Sequence, residues 1–233
     1  MIMENARLIV WVFLGFTLTL PLPAQAPPVV TAPAPFANSP KDPADGHAYR
    51  DAITLRDKGK FDEALAKITE ALQQAPQDEK MLVLQGDLYA KKKQWSEAEQ
   101  AFTAALKINP QDVLAQFDLA EIKLMQKEYT AARPGFLALV KDEDLGDLAA
   151  YKVFLCDLYS GNGVVADEEL KAFDRVDSRA SFYYANAASA FYHQRPDDAK
   201  RWLGYATRIY SPEKNHNYLS TLKELGYLPS SAP

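Results

Sequence analysis

The residues whose chemistry could support catalysis or metal binding are few in this chain and widely separated. The three histidines, His47, His193 and His216, have no second histidine or cysteine three or four residues away, as a helix-borne zinc site requires. The single cysteine, Cys156, cannot form a disulfide within the chain. The sequence has neither the glycine-rich loop that cradles phosphates nor the dinucleotide-binding glycine pattern. We therefore predict no catalytic residues, no cofactor and no metal.

Three further features could have either a chemical role or a purely structural one. Asp142-Glu143-Asp144 resembles the start of a calcium loop, but the twelfth place holds Val153 instead of glutamate, so we expect a solvated turn. Cys156 is expected to pack on a helix, with an intermolecular disulfide or a reactive thiol as the alternative. A catalytic pair of carboxylates would need two acidic residues that the sequence singles out, and it singles out none.

The elements that would position any binding residues are helices, and Glu79 to Asp112 shows their pattern most clearly. Apolar residues recur at helical intervals on two segments, roughly 77–92 and 96–108. Gly86 and Ala98 are small enough to let two antiparallel helices cross closely. Pro110 ends the second segment because it lacks an amide hydrogen. The stretch therefore predicts one helical hairpin.

The same stretch resembles one tetratricopeptide repeat. The residues that carry the resemblance are Gly86, Tyr89, Ala98, Phe102, Ala105 and Pro110. Leu82 stands where the family often has tryptophan, and Gln85 stands where it often has leucine. Comparable residues recur about 34 positions before and after, so neighbouring hairpins can cover the face that a single hairpin leaves exposed.

The recurrence predicts an all-α fold, which the resemblance specifies as a right-handed superhelical solenoid of about five hairpins. We place the repeats near residues 45–78, 79–112, 113–146, 147–179 and 180–211. Pro134 lies inside the second helix of the third repeat, where we expect a kink or a late start. The fourth repeat is degenerate, and Gly161-Asn162-Gly163 is interpreted as its turn. A capping helix is predicted at 212–228, and the lack of alternating polar and apolar residues predicts no sheet.

The first 43 residues have a different character. Residues 1–26 combine Arg7, an apolar run from Leu8 to Leu20 and the small residues of Ala24-Gln25-Ala26, which is typical of a cleaved export signal. An uncleaved anchor is the alternative. Residues 27–43 are rich in proline and alanine and are interpreted as an extended linker, or alternatively as a proline-rich docking motif. The chain is therefore predicted to be exported to the periplasm or cell envelope of a bacterium.

Charge limits the choice of partners. The net charge is −5, and removal of residues 1–26 leaves it unchanged because Glu4 and Arg7 are lost together. A mildly acidic chain is a poor match for nucleic acid or anionic lipid. We predict a protein or peptide partner, no nucleic acid and no stable membrane insertion of the mature chain.

In tetratricopeptide repeat proteins the first helices of successive hairpins line a concave groove, and the resemblance implies the same surface here. Places five, nine and twelve of each repeat fall on one helix face. We call these residues the predicted stripe. Its candidate binding residues are Tyr49, Ile53, Arg56, Val83, Asp87, Phe117, Glu121, Leu124, Lys152, Tyr159, Tyr184 and Phe191.

Two functions from different classes follow. The first is a non-catalytic scaffold that binds a peptide segment of an envelope protein in its groove. The second is a structural protein that self-associates through its C-terminal end, where aromatic residues are dense between Phe182 and Tyr227. The oligomeric state and the identity of the partner do not follow from the sequence.

Overall fold

A computed structural model describes residues 43–173 and 179–229. These residues form helices and connecting turns and contain no strand, as the sequence predicted. The eleven helices within them are α1 Pro43–Asp57, α2 Phe61–Gln74, α3 Glu79–Lys91, α4 Trp95–Ile108, α5 Val113–Met125, α6 Tyr129–Leu139, α7 Gly146–Tyr159, α8 Gly163–Phe173, α9 Ala180–Tyr192, α10 Pro196–Ile209 and α11 Pro212–Glu224.

The first helix of each hairpin ends in the same backbone conformation. Gly59, Lys93, Lys127, Gly161 and Gln194 all have positive φ, between 56° and 89°, and they are spaced 34, 34, 34 and 33 residues apart. A residue in the left-handed conformation ends a helix and reverses the chain, and glycine adopts this conformation without steric cost. Two lysines and a glutamine adopt it here, so the fold imposes this turn where the residue type does not favour it.

Side-chain caps recur with the same period at two helix starts. The Asp78 carboxylate accepts a hydrogen bond from the Met81 amide at 3.0 Å, and Asp112 accepts one from the Ala115 amide at 3.0 Å. Each cap satisfies an amide that the first turn of a helix leaves unpaired. These contacts define where α3 and α5 begin.

Small residues position the helices within the hairpins. Gly86 of α3 faces the ring of Phe102 in α4, and a Cβ atom at Gly86 would lie only 2.8 Å from that ring. Gly135 of α6 faces Ala120 of α5 in the same way, again with a 2.8 Å approach. The sequence predicted a close crossing at Gly86. The structure adds that its partner is the large Phe102 ring, so the glycine makes space for an aromatic side chain.

A charged cluster joins the third and fourth hairpins. The Nε atom of Arg133 donates to both carboxylate oxygens of Asp157, at 2.9 and 2.7 Å, and Asp157 is almost fully buried. Glu169 lies farther from the guanidinium, at 3.4 Å. Burial, followed by the neighbouring Asp157 carboxylate, raises the pKa of Glu169 to about 7.

Two local expectations have different outcomes. Gly161 adopts φ +89° between α7 and α8, which confirms the predicted turn. Pro134 lies within α6, but α6 starts at the same place in its repeat as α4 does, so the expected late start is wrong. Pro134 is the sixth of the eleven residues of α6, so the helix continues through it without the hydrogen bond that an interior amide donates four residues back.

Candidate binding groove

An open groove lies between the first helices of the first three hairpins. It encloses about 530 Å³. Four residues of the predicted stripe, Tyr49, Arg56, Val83 and Asp87, line it together. The complete lining is Tyr49, Arg56, Asp57, Phe61, Val83, Leu84, Asp87, Lys91, Leu114 and Asp118. We call this surface the open groove.

Ion pairs position the charged side chains of the open groove. Arg56 Nη1 lies 3.4 Å from Asp87 Oδ2 and links α1 to α3, and Lys91 lies 3.8 Å from the other Asp87 oxygen. Leu114 on α5 is 63 % exposed and forms an apolar wall. The groove therefore combines an apolar surface with charges of both signs, which suits a peptide that has apolar anchors and polar flanks.

Asp118 is a groove residue that the sequence reasoning missed. It lies next to Phe117, one place outside the predicted stripe, and its partly buried carboxyl lines the groove. Burial is the main cause that raises its pKa to about 7, and the Glu121 and Asp87 carboxylates contribute in the same direction. The spacing of Asp87, 31 residues before Asp118, and of Glu121, three residues after it, could have identified Asp118, because those spacings place all three carboxylates near one surface.

A second part of the predicted stripe lies on α7 and α9 beneath the C-terminal helix. We call this surface the covered face. It comprises the stripe residues Lys152, Tyr159, Tyr184 and Phe191 together with Tyr151, which lies outside the stripe and contacts Tyr218. The Tyr184 ring stacks on Tyr218 of α11 with 4.7 Å between centroids, and its hydroxyl donates to Asn215 at 2.8 Å. Farther along, Tyr227 stacks on Tyr159 at 6.0 Å and on Phe191 at 5.2 Å.

Polar contacts complete the attachment of α11. The Lys152 ammonium donates to Thr221 of α11 and to Glu121 of α5. The Tyr218 hydroxyl donates to Asp147 at 2.7 Å. At the far end Lys93 Nζ lies 3.0 Å from the Glu224 carboxylate, so α11 reaches from α9 back to the end of α3. The C-terminal helix thus extends across the first helices of several hairpins, whereas a cap would cover only the end of the stack.

The predicted stripe therefore needs a correction at four positions. Phe117, Leu124, Lys152 and Tyr184 are buried and cannot contact a ligand in this structure. Phe117 packs edge-on against Phe136 at 5.2 Å, and α5 is buried on several sides because it packs against α3, α4 and α6. Lys152 and Tyr184 are covered by α11. The other eight stripe residues, including Ile53 in the first hairpin and Glu121 in the third, are partly exposed.

Reactive chemistry is sparse in the described part of the chain. Residues 43–173 and 179–229 contain no group of three or more histidine, cysteine, aspartate or glutamate side chains that could hold a metal ion. Burial, and then the adjacent Asp157, raises the pKa of the Cys156 thiol to about 12, which disfavours the reactive thiolate. The geometry found here is suited to binding.

Comparison with known proteins agrees with this geometry. The family model for the tetratricopeptide repeat matches residues 49–113 and 83–147. This match shows tetratricopeptide repeats in residues 49–147, and the hairpins that follow continue the same helical-repeat fold, which is used for protein interaction. No curated protein sequence matches the chain.

Several solved structures share the fold at low sequence identity. MamA from Desulfovibrio magneticus RS-1 has a TM-score of 0.59 at 17% identity, covering 72% of this chain and 96% of that chain. PilW, described as a widely conserved type IV pilus biogenesis factor, has a TM-score of 0.58 at 16% identity, covering 80% and 88%. YrrB, described as a TPR protein with an unusual peptide-binding site, has a TM-score of 0.52 at 19% identity, covering 76% and 90%.

The predicted export segment, residues 1–26, and nearly all of the predicted linker lie outside the described residues. Among the helices of the described part, none is long and apolar enough to cross a membrane.

Proposed function

We propose that this protein is a non-catalytic scaffold that binds a peptide segment of a cell-envelope protein in the open groove. The observation that carries the proposal is the juxtaposition of Tyr49, Val83, Asp87 and Leu114 around one cleft of about 530 Å³. Three separate helices contribute these side chains, so the repeat fold builds the surface and no single helix could.

The chemistry of the cleft specifies the peptide. Tyr49, Val83 and Leu114 offer apolar contacts, and the Asp87 carboxylate sits between Arg56 and Lys91. Apolar anchors supply most of the free energy of binding in such grooves, and paired charges mainly fix orientation. We expect a segment with one or two apolar anchors flanked by polar residues.

Two observations support an envelope partner. The N-terminal sequence is typical of an exported chain, and one protein of the same fold, PilW, is described as a pilus biogenesis factor. YrrB supports the peptide mode of binding, because its description names a peptide-binding site on this fold.

A matched pair of substitutions tests the proposal. Val83→Arg places a charge in the open groove, whereas Val164→Arg places the same charge on α8, where the valine is 80 % exposed and outside the groove. Quantitative affinity capture with the mature chain should recover an envelope protein that Val83→Arg loses and Val164→Arg retains. For a peptide that corresponds to the bound segment of that envelope protein, Val83→Arg should raise the Kd about tenfold or more. Equal capture by both variants would remove the open groove from consideration.

Self-association is the second candidate. Tyr205 and Ile209 lie one turn apart on α10 and are 47 % and 55 % exposed, whereas neighbouring aromatics such as Phe182 and Trp202 pack against each other at 5.5 Å. Light scattering over a concentration series decides it. A rising mass that Tyr205→Lys abolishes supports association, and a monomer throughout excludes it.

A further inference from the structure

The interface beneath α11 combines stacked aromatic rings with buried polar groups. Hairpin crossings pair small residues with apolar rings, as Gly86 does with Phe102. Under α11, the buried groups include Lys152, Asn215 and Thr221, each 5 % exposed or less. Hydrogen bonds of this kind contribute little net free energy, because water replaces them when the interface opens. Tyr218 and Leu222 of α11 are buried in the same interface, so its polar groups add specificity to an apolar contact.

The contacts of α11 form a compact pattern on one helix face. Asn215, Tyr218 and Thr221 are spaced three residues apart, so they lie along one side of the helix. They contact Tyr184, Asp147 and Lys152 respectively. The helix starts after an extended backbone at Tyr210 and Ser211, ends at Glu224 and is followed by Gly226 with φ +83°. The segment is thus a self-contained helix joined to the array by one extended connection.

We infer that α11 is a reversible occupant of the covered face, and that a helix of a partner protein carrying the same asparagine, tyrosine and threonine pattern binds there in its place. The covered face would then extend the binding surface from three hairpins to five when α11 leaves. This inference concerns a surface separate from the open groove and does not depend on the proposed use of that groove.

Tethering explains why α11 occupies the face in the isolated chain. A linked segment has an effective concentration in the millimolar range, which an external helix of equal affinity does not match at micromolar concentration. A partner must therefore bind more tightly, or α11 must be weakened, before the exchange is seen. This condition determines how the test is designed.

The chain contains its own reporter for the exchange. Cys156 is the only cysteine and is 1 % exposed. It lies on α7 between Lys152 and Tyr159, one turn from each, and α11 contacts Lys152 while Tyr227 contacts Tyr159. Because α11 and its tail contact the residues one turn to either side, we expect their departure to expose this thiol, and its rate of labelling by a maleimide then measures the open fraction.

The experiment uses the full chain in three forms. Tyr218→Ala removes the stacked ring and should raise the labelling rate about tenfold or more in native buffer. Ile68→Ala destabilises the buried core of α2, far from α11, and should leave the rate unchanged. Thr221→Val replaces only the hydroxyl that Lys152 contacts and should raise the labelling rate by a smaller factor. This variant takes the place of Tyr218→Ala if Tyr218→Ala does not fold.

Binding in trans is then tested by rescue. A synthetic peptide of residues 211–229, added to the Tyr218→Ala chain, should restore protection of Cys156, and the same peptide with Tyr218→Ala should not. Protection that neither peptide restores overturns the inference, as does labelling that is as fast in Ile68→Ala as in Tyr218→Ala. If protection of Cys156 in the Tyr218→Ala chain increases with the concentration of that chain, without peptide, the covered face binds a second copy of the chain. That result would overturn the inference of a partner helix. Val83→Arg should leave the labelling rate of Cys156 unchanged, so a failure of peptide binding in the open groove can be distinguished from a failure of this inference.

Discussion

Replacement of Gly86 by alanine tests the packing that sets the hairpin geometry. The added Cβ atom would lie 2.8 Å from Cε1 and Cζ of Phe102 and 3.0 Å from its Cδ1. Carbon atoms in cores pack at about 3.5–4.0 Å, so the ring or the helix must move by roughly 1 Å. Phe102 is 1 % exposed and cannot turn into solvent. We expect a loss of about 1–3 kcal/mol in the free energy of unfolding, although alanine favours helix by roughly 1 kcal/mol.

Substitutions at two other glycines separate the effect of a side-chain clash from the effects of helix propensity and backbone strain. Gly204→Ala in α10 meets nothing within 4 Å, so it should gain up to about 1 kcal/mol from helix propensity. Gly161→Ala also meets nothing within 4 Å but has φ +89°, so it should lose about 1–2 kcal/mol through backbone strain alone.

Urea unfolding followed by far-ultraviolet circular dichroism measures all three variants. Addition of Phe102→Leu should recover part of the loss in Gly86→Ala and none of the loss in Gly161→Ala, because only the first involves a side-chain clash. A Gly86→Ala variant as stable as the parent chain would refute the packing account.

The remaining predictions concern charge and backbone. Arg133→Ala leaves the buried Asp157 carboxylate without its main partner and should cost about 3–5 kcal/mol in urea unfolding, whereas Arg201→Ala, which breaks an exposed ion pair on α10, should leave the urea midpoint nearly unchanged. Asp118 ordinarily has a pKa of 3.8, and its folded value of about 7 means that the folded chain holds a proton that the unfolded chain has lost. Stability from this group is therefore lost as pH rises towards and through 7, and Asp118→Asn should flatten the stability profile between pH 5 and 8 by about 1–3 kcal/mol. An unchanged profile would contradict the assignment. Lys127→Gly should raise stability by about 1 kcal/mol, because Lys127 holds φ 64°, and a neutral or destabilising result would show that the turn carries no strain.

The sequence was sufficient for the helices and their pairing. The spacing of Gly86, Phe102 and Pro110 requires only local packing and helix termination, and both are encoded within about 34 residues. The positive φ at Lys93 and Lys127 could not be predicted from residue type, because lysine disfavours that conformation. Comparison with Gly59 and Gly161, which lie one period away on either side, reveals it once the repeat is known.

The candidate site was predicted only in part. Periodicity places Val83 and Asp87 on the correct face, but it cannot tell an open face from one that another element covers. Lys152 shows the difficulty, since a lysine on a helix face is usually solvated, and here Thr221 from 69 residues away contacts it. Asp118 was missed for the opposite reason, because it lies one place outside the stripe and enters the groove through the packing of α5 against α3.

Photo-cross-linking from the groove tests the central claim most directly. Benzoylphenylalanine is placed in turn at Tyr49 and Leu114, on opposite walls of the open groove, and at Tyr205 on α10 as the matched control. In cells that make the protein natively, Tyr49 and Leu114 should both cross-link to one short segment of the same envelope protein, and Tyr205 should not reach that segment. Cross-links to that segment from Tyr205 in equal yield, or unrelated segments from Tyr49 and Leu114, would contradict peptide binding in the open groove.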